Sequence, residues 1–288
     1  MEYRNKRSLK DKMKSYRNKP LSLVLLILVI LSAVITAAII MSITGYVLIK
    51  GVPNLRLDMF AWKYTSENVS MMPAIINTII VTIVSLLMAV PLGVFSAIYL
   101  VEYAGRGNKL VEVVRITAET LAGIPSIVYG LFGFLMFVIY LNMRYSLLAG
   151  CLTLSIMILP LIMRTTEEAL KAVPDTYREG SFGLGAGRLR TVFKVVLPSA
   201  MPGILSGVIL SIGRIVGETV ALIYTAGTVT GAAENLMSSG RTLSVHMYSL
   251  LSEGLYMKQA YGTAVVLLVM VVIINGISSL IARKLSER

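Results

Sequence analysis

The sequence predicts an all-α membrane protein with six transmembrane helices. Of its 288 residues, 56% are hydrophobic and only 15% are charged, whereas a soluble domain usually carries about a quarter charged residues. Most of the chain falls into apolar blocks long enough to cross a hydrocarbon core of about 30 Å. Because backbone groups inside lipid must be paired within the chain, blocks of this length are expected to be helices.

The first apolar block covers residues 21–49 and contains no charged residue. As a helix it would be about 43 Å long, which exceeds the hydrocarbon core and predicts tilt or protrusion. The apolar region of a signal peptide spans only about 7–15 residues. We therefore interpret the block as a retained signal-anchor helix, with a cleaved signal peptide as the alternative. A basic tail, 1–20, precedes it and a polar extracytoplasmic loop, 50–70, follows it.

Five further apolar blocks complete the six spans. Proline and glycine occur within two of them. Proline inside a helix removes a hydrogen bond and kinks the axis. Pro91 predicts a kink in the second span, and Gly123-Ile124-Pro125 predicts a break in the third. The five blocks cover residues 74–100, 117–141, 146–163, 199–226 and 260–282.

The basic residues predict the orientation. Of the 27 Lys and Arg residues, 20 lie on one side of the membrane, in the N-terminal tail, the 102–115 connection, the 164–198 insertion and the 283–288 tail. Cytoplasmic loops carry the excess of Lys and Arg, so both termini are expected in the cytoplasm. The same bias explains the net charge of +12 without a nucleic-acid partner.

The residue inventory excludes most kinds of catalysis. One cysteine, Cys151, and one histidine, His246, allow neither an internal disulfide nor a metal centre built from several Cys or His ligands. The sequence has no Gly-x-x-x-x-Gly-Lys-[Ser/Thr] phosphate loop and no Ser/His/Asp arrangement. We therefore predict no enzymatic activity, no metal and no cofactor on this chain.

The 164–198 insertion is the longest polar stretch between spans and predicts two short helices. Thr176-x-x-Glu179 fits a capping box that starts the first helix, and alternate glycines follow it. The second helix, residues 188–196, is expected to be closed by Pro198. Two such helices could dock into a groove on another protein or rest on the lipid surface, and periodicity alone leaves both open.

The insertion resembles the EAA motif of ABC-transporter permeases. Glu179-Gly180-Ser181 is followed after three residues by Gly185, and after nine more by Val195-Val196-Leu197-Pro198. Two small residues replace the alanines of the motif, and valine replaces its isoleucine. The resemblance implies a type I ABC importer permease fold. It also implies that Glu179, Gly180, Ser181, Gly185, Leu197 and Pro198 form a coupling loop that docks on a separate ATPase, which would bind the ATP and Mg that this chain does not.

Three further segments resemble the PstA-type permeases of phosphate importers. They are residues 121–133, 164–170 and 213–219, and the resemblance covers roughly residues 70–282. One departure is Val220-Ala221, where that family commonly has Ala-Pro. The resemblance implies an ABC permease domain at 71–282 in the cell membrane. It also implies a PstC-type permease, an ATP-binding subunit dimer and an extracytoplasmic phosphate-binding protein as partners, in addition to membrane lipid.

Two charges inside the fifth span are candidates for the substrate pathway. Arg214 and Glu218 each cost about 2.5–3.5 kcal/mol at the bilayer centre. Their i, i+4 spacing would place them on one helix face, so that they pair with each other. Alternatively, the planar guanidinium of Arg214 binds an oxyanion and Glu218 orients it. The resemblance implies that Arg214 and Arg164 belong to a phosphate pathway, whereas the alternative for Arg164 is an interaction with lipid headgroups.

These features predict the permease subunit of an ATP-driven inorganic phosphate importer that works by alternating access and forms half of the pathway. Moving an anion inward against an inside-negative potential costs about 2.3 kcal/mol per charge per 100 mV, so accumulation needs an energy source. The alternatives are an ABC permease for molybdate or sulfate, an ion-coupled secondary anion transporter, and a membrane anchor that transports nothing.

Overall fold

The computed structural model describes residues 20–105 and 107–286. The tail at residues 1–19 and the last two residues of the predicted C-terminal tail lie outside the described residues. Within these ranges the chain is helical and has no strand, which confirms the predicted all-α class. Five helices are long and apolar enough to cross a membrane, and a pair of helices bent by 103° is the candidate sixth span.

The described residues divide into two compact units, with the boundary between Lys50 and Gly51. The first is built on one helix, α1 (Pro20–Gly51, 32 residues). This helix confirms the first apolar block, and its length of about 48 Å exceeds a hydrocarbon core of about 30 Å. Its only charged residue is Lys50, in the last turn.

The second unit begins with two short 3-10 turns, Val52–Asn54 and Leu57–Phe60. Its helices, in chain order, are α2 (Met72–Ile98), α3 (Lys109–Ala122), α4 (Ser126–Gly133), α5 (Leu147–Lys171), α6 (Asp175–Gly183), α7 (Arg188–Thr191), α8 (Leu197–Gly217), α9 (Val220–Thr225), α10 (Leu243–Glu253) and α11 (Met257–Ser286). Wider π-helical turns follow α2 (Tyr99–Tyr103) and α4 (Phe134–Tyr140), and another joins α7 to α8 (Val192–Val196). We call the end of this unit that carries residues 172–187 the motif end, and the end that carries residues 226–256 the opposite end.

Helices α2, α5 and α8 pack closely because small residues line their contacts. The Ser155 hydroxyl of α5 donates to the Ser85 carbonyl of α2 at 3.1 Å. Between α5 and α8, a Cβ placed on Gly207 would lie 2.7 Å from the Cβ of Thr165, and a Cβ on Gly203 would also overlap α5. These contacts fix the height of α8, and therefore of any group it carries, relative to α5.

The third span differs from its predicted boundaries. The predicted break at Gly123–Pro125 is confirmed, but the 102–115 connection is largely helical, because α3 already begins at Lys109. The Asn108 side chain caps α3 by accepting a hydrogen bond from the Leu110 amide at 3.0 Å. Helix α3 is amphipathic, and one of its faces packs against the motif end around the buried Val111.

The fourth span is also longer than predicted. Residues 146–163 were expected to form it, but α5 continues to Lys171. The added turns are polar and carry ion pairs at i, i+4 spacing, which stabilise a helix. Arg164 pairs with Glu168 at 3.1 Å, and Glu167 pairs with Lys171 at 2.6 Å.

Two predictions within the 164–198 insertion are wrong in detail. Helix α6 is capped by Pro174 without any side-chain hydrogen bond, so the predicted Thr176/Glu179 capping box does not form. Pro198 does not close the second helix, since the chain stays helical from Arg188 to Gly217. Proline lacks the amide that an α-helix needs, and the π-helical turn just before it changes the bonding pattern there.

The opposite end is ordered, although its residues 227–259 lie between the fifth and sixth apolar blocks of the sequence. Asn77 of α2 is fully buried. Its side chain donates to the carbonyls of Gly231 and Arg241 at 3.2 and 3.1 Å and accepts from the Ala233 amide at 3.1 Å. One side chain thus fastens the segment between α9 and α10 onto α2.

Candidate functional site

The fifth span is broken at the residue predicted to form an internal ion pair. Helix α8 ends at Gly217, Glu218 is extended, and α9 begins at Val220. The Glu218 carboxylate accepts a hydrogen bond from the Ala221 amide at 3.1 Å, and the Glu218 carbonyl accepts one from the Ser244 hydroxyl at 2.6 Å. A carboxylate at a helix N-terminus accepts hydrogen bonds from the free amides there and is stabilised by the helix dipole. The alternative in which Glu218 and Arg214 share one helix face and pair with each other is therefore wrong, since the described residues include no ion pair between them.

The third span is broken in a similar way. The Gly123 and Ile124 amides donate to carbonyls in the last turn of α3, and the Tyr129 hydroxyl of α4 reaches back to the Leu121 carbonyl at 2.8 Å. Among the residues described, no protein group accepts a hydrogen bond from the first two amides of α4, those of Ser126 and Ile127. Irregular backbone at membrane depth is tolerated where it is buried in protein or lines a cavity.

Helices α4 and α9 pack directly against each other, so the two breaks lie in neighbouring spans. A Cβ on Gly130 would lie 2.9 Å from the Cα of Ala221, and a Cβ on Gly133 would lie 2.8 Å from the Thr225 side chain. Gly130 and Gly133 therefore allow the close approach of α4 to α9.

Arg214 lies beside this pair of breaks, in the last turn of α8. It is half-buried and within electrostatic range of the Tyr129 hydroxyl. It makes no ion pair with any residue in the 20–105 and 107–286 ranges. A basic residue is favoured at a helix C-terminus, but within these ranges its charge has no protein counter-ion. The arrangement leaves a planar cation free to bind an anion that reaches the middle of the span.

Arg164, the second predicted pathway residue, lies nearer the motif end. Its neighbour Thr165 is level with Gly207, seven residues before Arg214, which corresponds to about 10 Å along α8. The Arg164 side chain is more than half exposed, and its guanidinium pairs with Glu168 at 3.1 Å and with Glu119 of α3 at 3.6 Å. The structure therefore does not bring Arg164 and Arg214 together.

A cluster of acids and bases surrounds Arg164 between α3 and α5. The nearly buried Glu167 pairs with Arg115 of α3 at 2.7 Å and with Lys171 at 2.6 Å. These side chains line a cavity of about 180 Å³. An exposed ion pair adds little stability on its own, but together these pairs join α3 to α5 at the motif end.

The EAA-like residues divide into exposed and packed groups. Glu179 and Gly180 are exposed on α6. Gly185 has a φ of +81°, a left-handed conformation that favours glycine, and it turns the chain from α6 towards α7. These three residues lie at the surface, where a partner can reach them.

The remaining three motif residues hold the segment to the bundle or lie within its helix. The Ser181 hydroxyl lies 2.8 Å from the hydroxyl of Thr191 on α7, so that one donates to the other. Leu197 packs against the buried apolar cluster of the motif end, whereas Pro198 is exposed within the continuous helix. The motif thus contains both exposed residues and residues that pack against neighbouring helices.

Sequence reasoning missed two features of this segment. The first is a set of exposed apolar side chains around the motif, namely Tyr177, Phe182, Leu184 and Leu189. The sequence feature that could have indicated them is the presence of apolar residues within a polar insertion. The second feature is an ion pair between Arg178 and Glu102. No local signal identifies it, because the two residues are 76 positions apart.

The chain is similar to known proteins in both sequence and structure. The family model for the binding-protein-dependent transport system inner membrane component matches residues 89–288, more than half of the chain. The chain is 33% identical over 263 residues to the probable ABC transporter permease protein YqgI of Bacillus subtilis (strain 168), covering 85% of this chain and 89% of that protein. It is 37% identical over 205 residues to the phosphate transport system permease protein PstA of Mycobacterium leprae (strain TN), covering 70% and 67%.

A solved structure shares the fold. It is a chain from a bacterial alginate ABC transporter in complex with an alginate pentasaccharide-bound periplasmic protein. The TM-score is 0.67 at 15% sequence identity, over 95% of this chain and 98% of that chain. The predicted fold class is therefore confirmed by the helical arrangement itself.

Proposed function

Since the chain belongs to the binding-protein-dependent transport system inner membrane component family, we propose that it is the permease subunit of an ATP-driven inorganic phosphate importer. The match to that family and the similarity to a PstA permease confirm the predicted PstA-type resemblance. The protein is accordingly a multi-pass ABC transporter permease of the cell membrane. A fold hosts many substrates, so the choice of phosphate has to rest on the site.

The observation that carries the proposal is the position of Arg214 beside two broken spans, without an ion-pair partner among the described residues. A guanidinium offers several N–H donors in one plane and binds phosphate oxygens in pairs. The substrate would lose its water shell at this depth, and a cation without a protein counter-ion offsets that cost. Glu218 accepts a hydrogen bond from the Ala221 amide and, among the described residues, makes no ion pair with Arg214, so Arg214 stays available to the substrate.

The energy source in this proposal is a separate ATP-binding subunit dimer, which would hold ATP and Mg. Glu179, Gly180 and Gly185 would contact it from the surface of α6 and the following turn, and both termini would lie in the cytoplasm with them. A PstC-type permease would supply the other half of the pathway. An extracytoplasmic phosphate-binding protein would deliver the anion to the opposite end, and alternating access would carry it past Arg214.

Another tetrahedral oxyanion is the second candidate substrate. Sulfate and molybdate present oxygens in the same geometry, and a guanidinium recognises the oxygens rather than the central atom. An ion-coupled secondary transporter is less well supported. It would use no ATP-binding subunit, whereas the chain belongs to the binding-protein-dependent transport system inner membrane component family.

Two measurements test the proposal. The chain is purified in mild detergent after expression with the genes that neighbour it, and the eluate is examined for an ATP-binding subunit. Its absence would contradict the ABC assignment. The assembled complex is then reconstituted with its binding protein, and uptake of labelled phosphate is measured against excess sulfate or molybdate. We expect competition by unlabelled phosphate alone; displacement by either other anion would reassign the substrate.

A further inference from the structure

Helix α6 carries the exposed motif residues, yet none of its own residues is buried. A helix usually attaches to a bundle through an apolar stripe, and α6 does not. Its Ser181 hydroxyl binds Thr191 on the next helix in the chain. The attachment of α6 to the spans that precede it in the sequence therefore relies on polar contacts rather than on a buried apolar side chain.

Arg178 supplies that contact. Its side chain is only 15% exposed. The guanidinium donates to the Glu102 carboxylate at 2.7 Å through one terminal nitrogen and at 3.1 Å through Nε. It also donates to the backbone carbonyls of Leu170 and Val173 at 3.0 and 2.8 Å. One side chain of α6 thus binds the end of α5 and a carboxylate from another span.

Glu102 belongs to the π-helical turn that continues α2, and its side chain is 8% exposed. A buried carboxylate is costly unless it is paired and hydrogen-bonded, and Arg178 is the ion-pair partner that the structure gives it. The Leu170 carbonyl also accepts a hydrogen bond from the Val173 amide at 3.3 Å, so the group that depends most on Arg178 is the Glu102 carboxylate. Removing the guanidinium would leave this buried carboxylate without its ion-pair partner, so the pair favours a single fixed position of α6.

We propose that Glu102 and Arg178 are a positioning pair that makes α6 move together with α2 and α5. The inference rests on the proposed function, because it treats α6 as the contact with an ATP-driven partner. A displacement of α6 is transmitted through the guanidinium to the ends of two long spans. Helix α5 in turn contacts α8 at Thr165 and Gly207, and α8 carries Arg214.

The chain offers a matched control for this contact. Asp175 also accepts a hydrogen bond from Arg178, at 3.1 Å, but it lies on α6 itself and is 80% exposed. Glu102→Gln and Asp175→Asn each remove one carboxylate charge that faces the same Arg178 guanidinium. Only the first weakens the link between α6 and the spans, so a general effect of charge would appear in both variants.

The first measurement is the mobility of α6. Gly183 is replaced by cysteine and spin-labelled in the full assembled complex, since no atom lies within 4 Å of a Cβ at that position. The native Cys151 is buried and is replaced by alanine. We expect E102Q to increase the mobility of the label and D175N to leave it at the wild-type value. Equal mobility in all three proteins overturns the proposal.

The second measurement is the ATP hydrolysed per phosphate accumulated in proteoliposomes. We expect this ratio to rise by about tenfold in E102Q, because losing a hydrogen bond between charged groups shifts an equilibrium by about that factor, and to stay unchanged in D175N. A wild-type ratio in E102Q overturns the proposal. If E102Q fails to assemble, Glu102→Asp, which keeps the charge but shortens the side chain, is measured in the same way and judged by the same two outcomes.

The proposed function and the positioning pair fail in different ways. Absence of any ATP-binding subunit from the wild-type complex refutes the proposed function, whatever the variants do. A wild-type complex that hydrolyses ATP and accumulates phosphate, combined with an E102Q variant that behaves identically, refutes only the positioning pair.

Discussion

The contact between α5 and α8 makes a quantitative prediction for Gly207→Ala. The new Cβ would lie 2.7 Å from the Cβ of Thr165 and would also overlap the Thr165 hydroxyl, which bonds to the Leu161 carbonyl at 2.9 Å. A rotation of Thr165 would break that bond, so the helices must separate. Overpacking of this kind costs about 1–3 kcal/mol, against a gain of up to about 1 kcal/mol from replacing glycine in a helix.

Gly213→Ala is the matched control, since it lies on the same helix and a Cβ added there would have no atom within 4 Å. We expect a change between zero and a gain of about 1 kcal/mol for it. The free energy of unfolding is measured by denaturant titration of the purified protein in detergent micelles. The double variant Gly207→Ala/Thr165→Gly should recover the part of the loss that the clash causes, because it removes both the Cβ and the hydroxyl of Thr165. Equal stability of the two glycine variants would refute the close packing of α5 and α8.

Three other outcomes are expected. Ala221→Pro should keep the break, because proline fits the first turn of a helix, but it removes the amide that binds Glu218. The Glu218 carboxylate should then react faster with a carboxyl-directed carbodiimide. An unchanged reaction rate would contradict the hydrogen bond between Glu218 and the Ala221 amide. Asn77→Ala leaves buried carbonyls without donors, at a cost of about 1–3 kcal/mol, and should speed hydrogen exchange in residues 227–242 but not in α6. Burial lowers the pKa of His246 to about 3, so that as pH falls below about 6.5 the unfolded chain binds a proton that the folded chain does not. The free energy of unfolding should therefore fall by about 1.4 kcal/mol per pH unit. His246→Gln should remove that slope.

The sequence predicted those parts of the fold that depend on local composition. Helix α1 follows from an uninterrupted apolar block, because only a helix satisfies the backbone in lipid. The break at Gly123–Pro125 follows from residues that cannot continue a helix. The turn at Gly185 follows from a glycine where the backbone is left-handed.

Features that depend on tertiary contacts were not predictable in this way. The helix continues through Pro198 because a π-helical turn precedes it, and no composition rule places such a turn. The fifth span breaks at Glu218, where the side chain and the carbonyl find partners in α9 and α10. Glu102 and Arg178 meet across 76 positions, so their pairing exists only once the spans have packed.

The role of Arg214 is tested by the ATP-dependent accumulation of labelled phosphate in the reconstituted complex carrying Arg214→Gln. Lys63→Gln, which neutralises an exposed basic residue outside the spans, is the control. We predict that R214Q assembles with its partner ATPase but accumulates no phosphate, while K63Q transports normally. Normal accumulation by R214Q would contradict the proposal that the guanidinium beside the two broken spans conducts the anion.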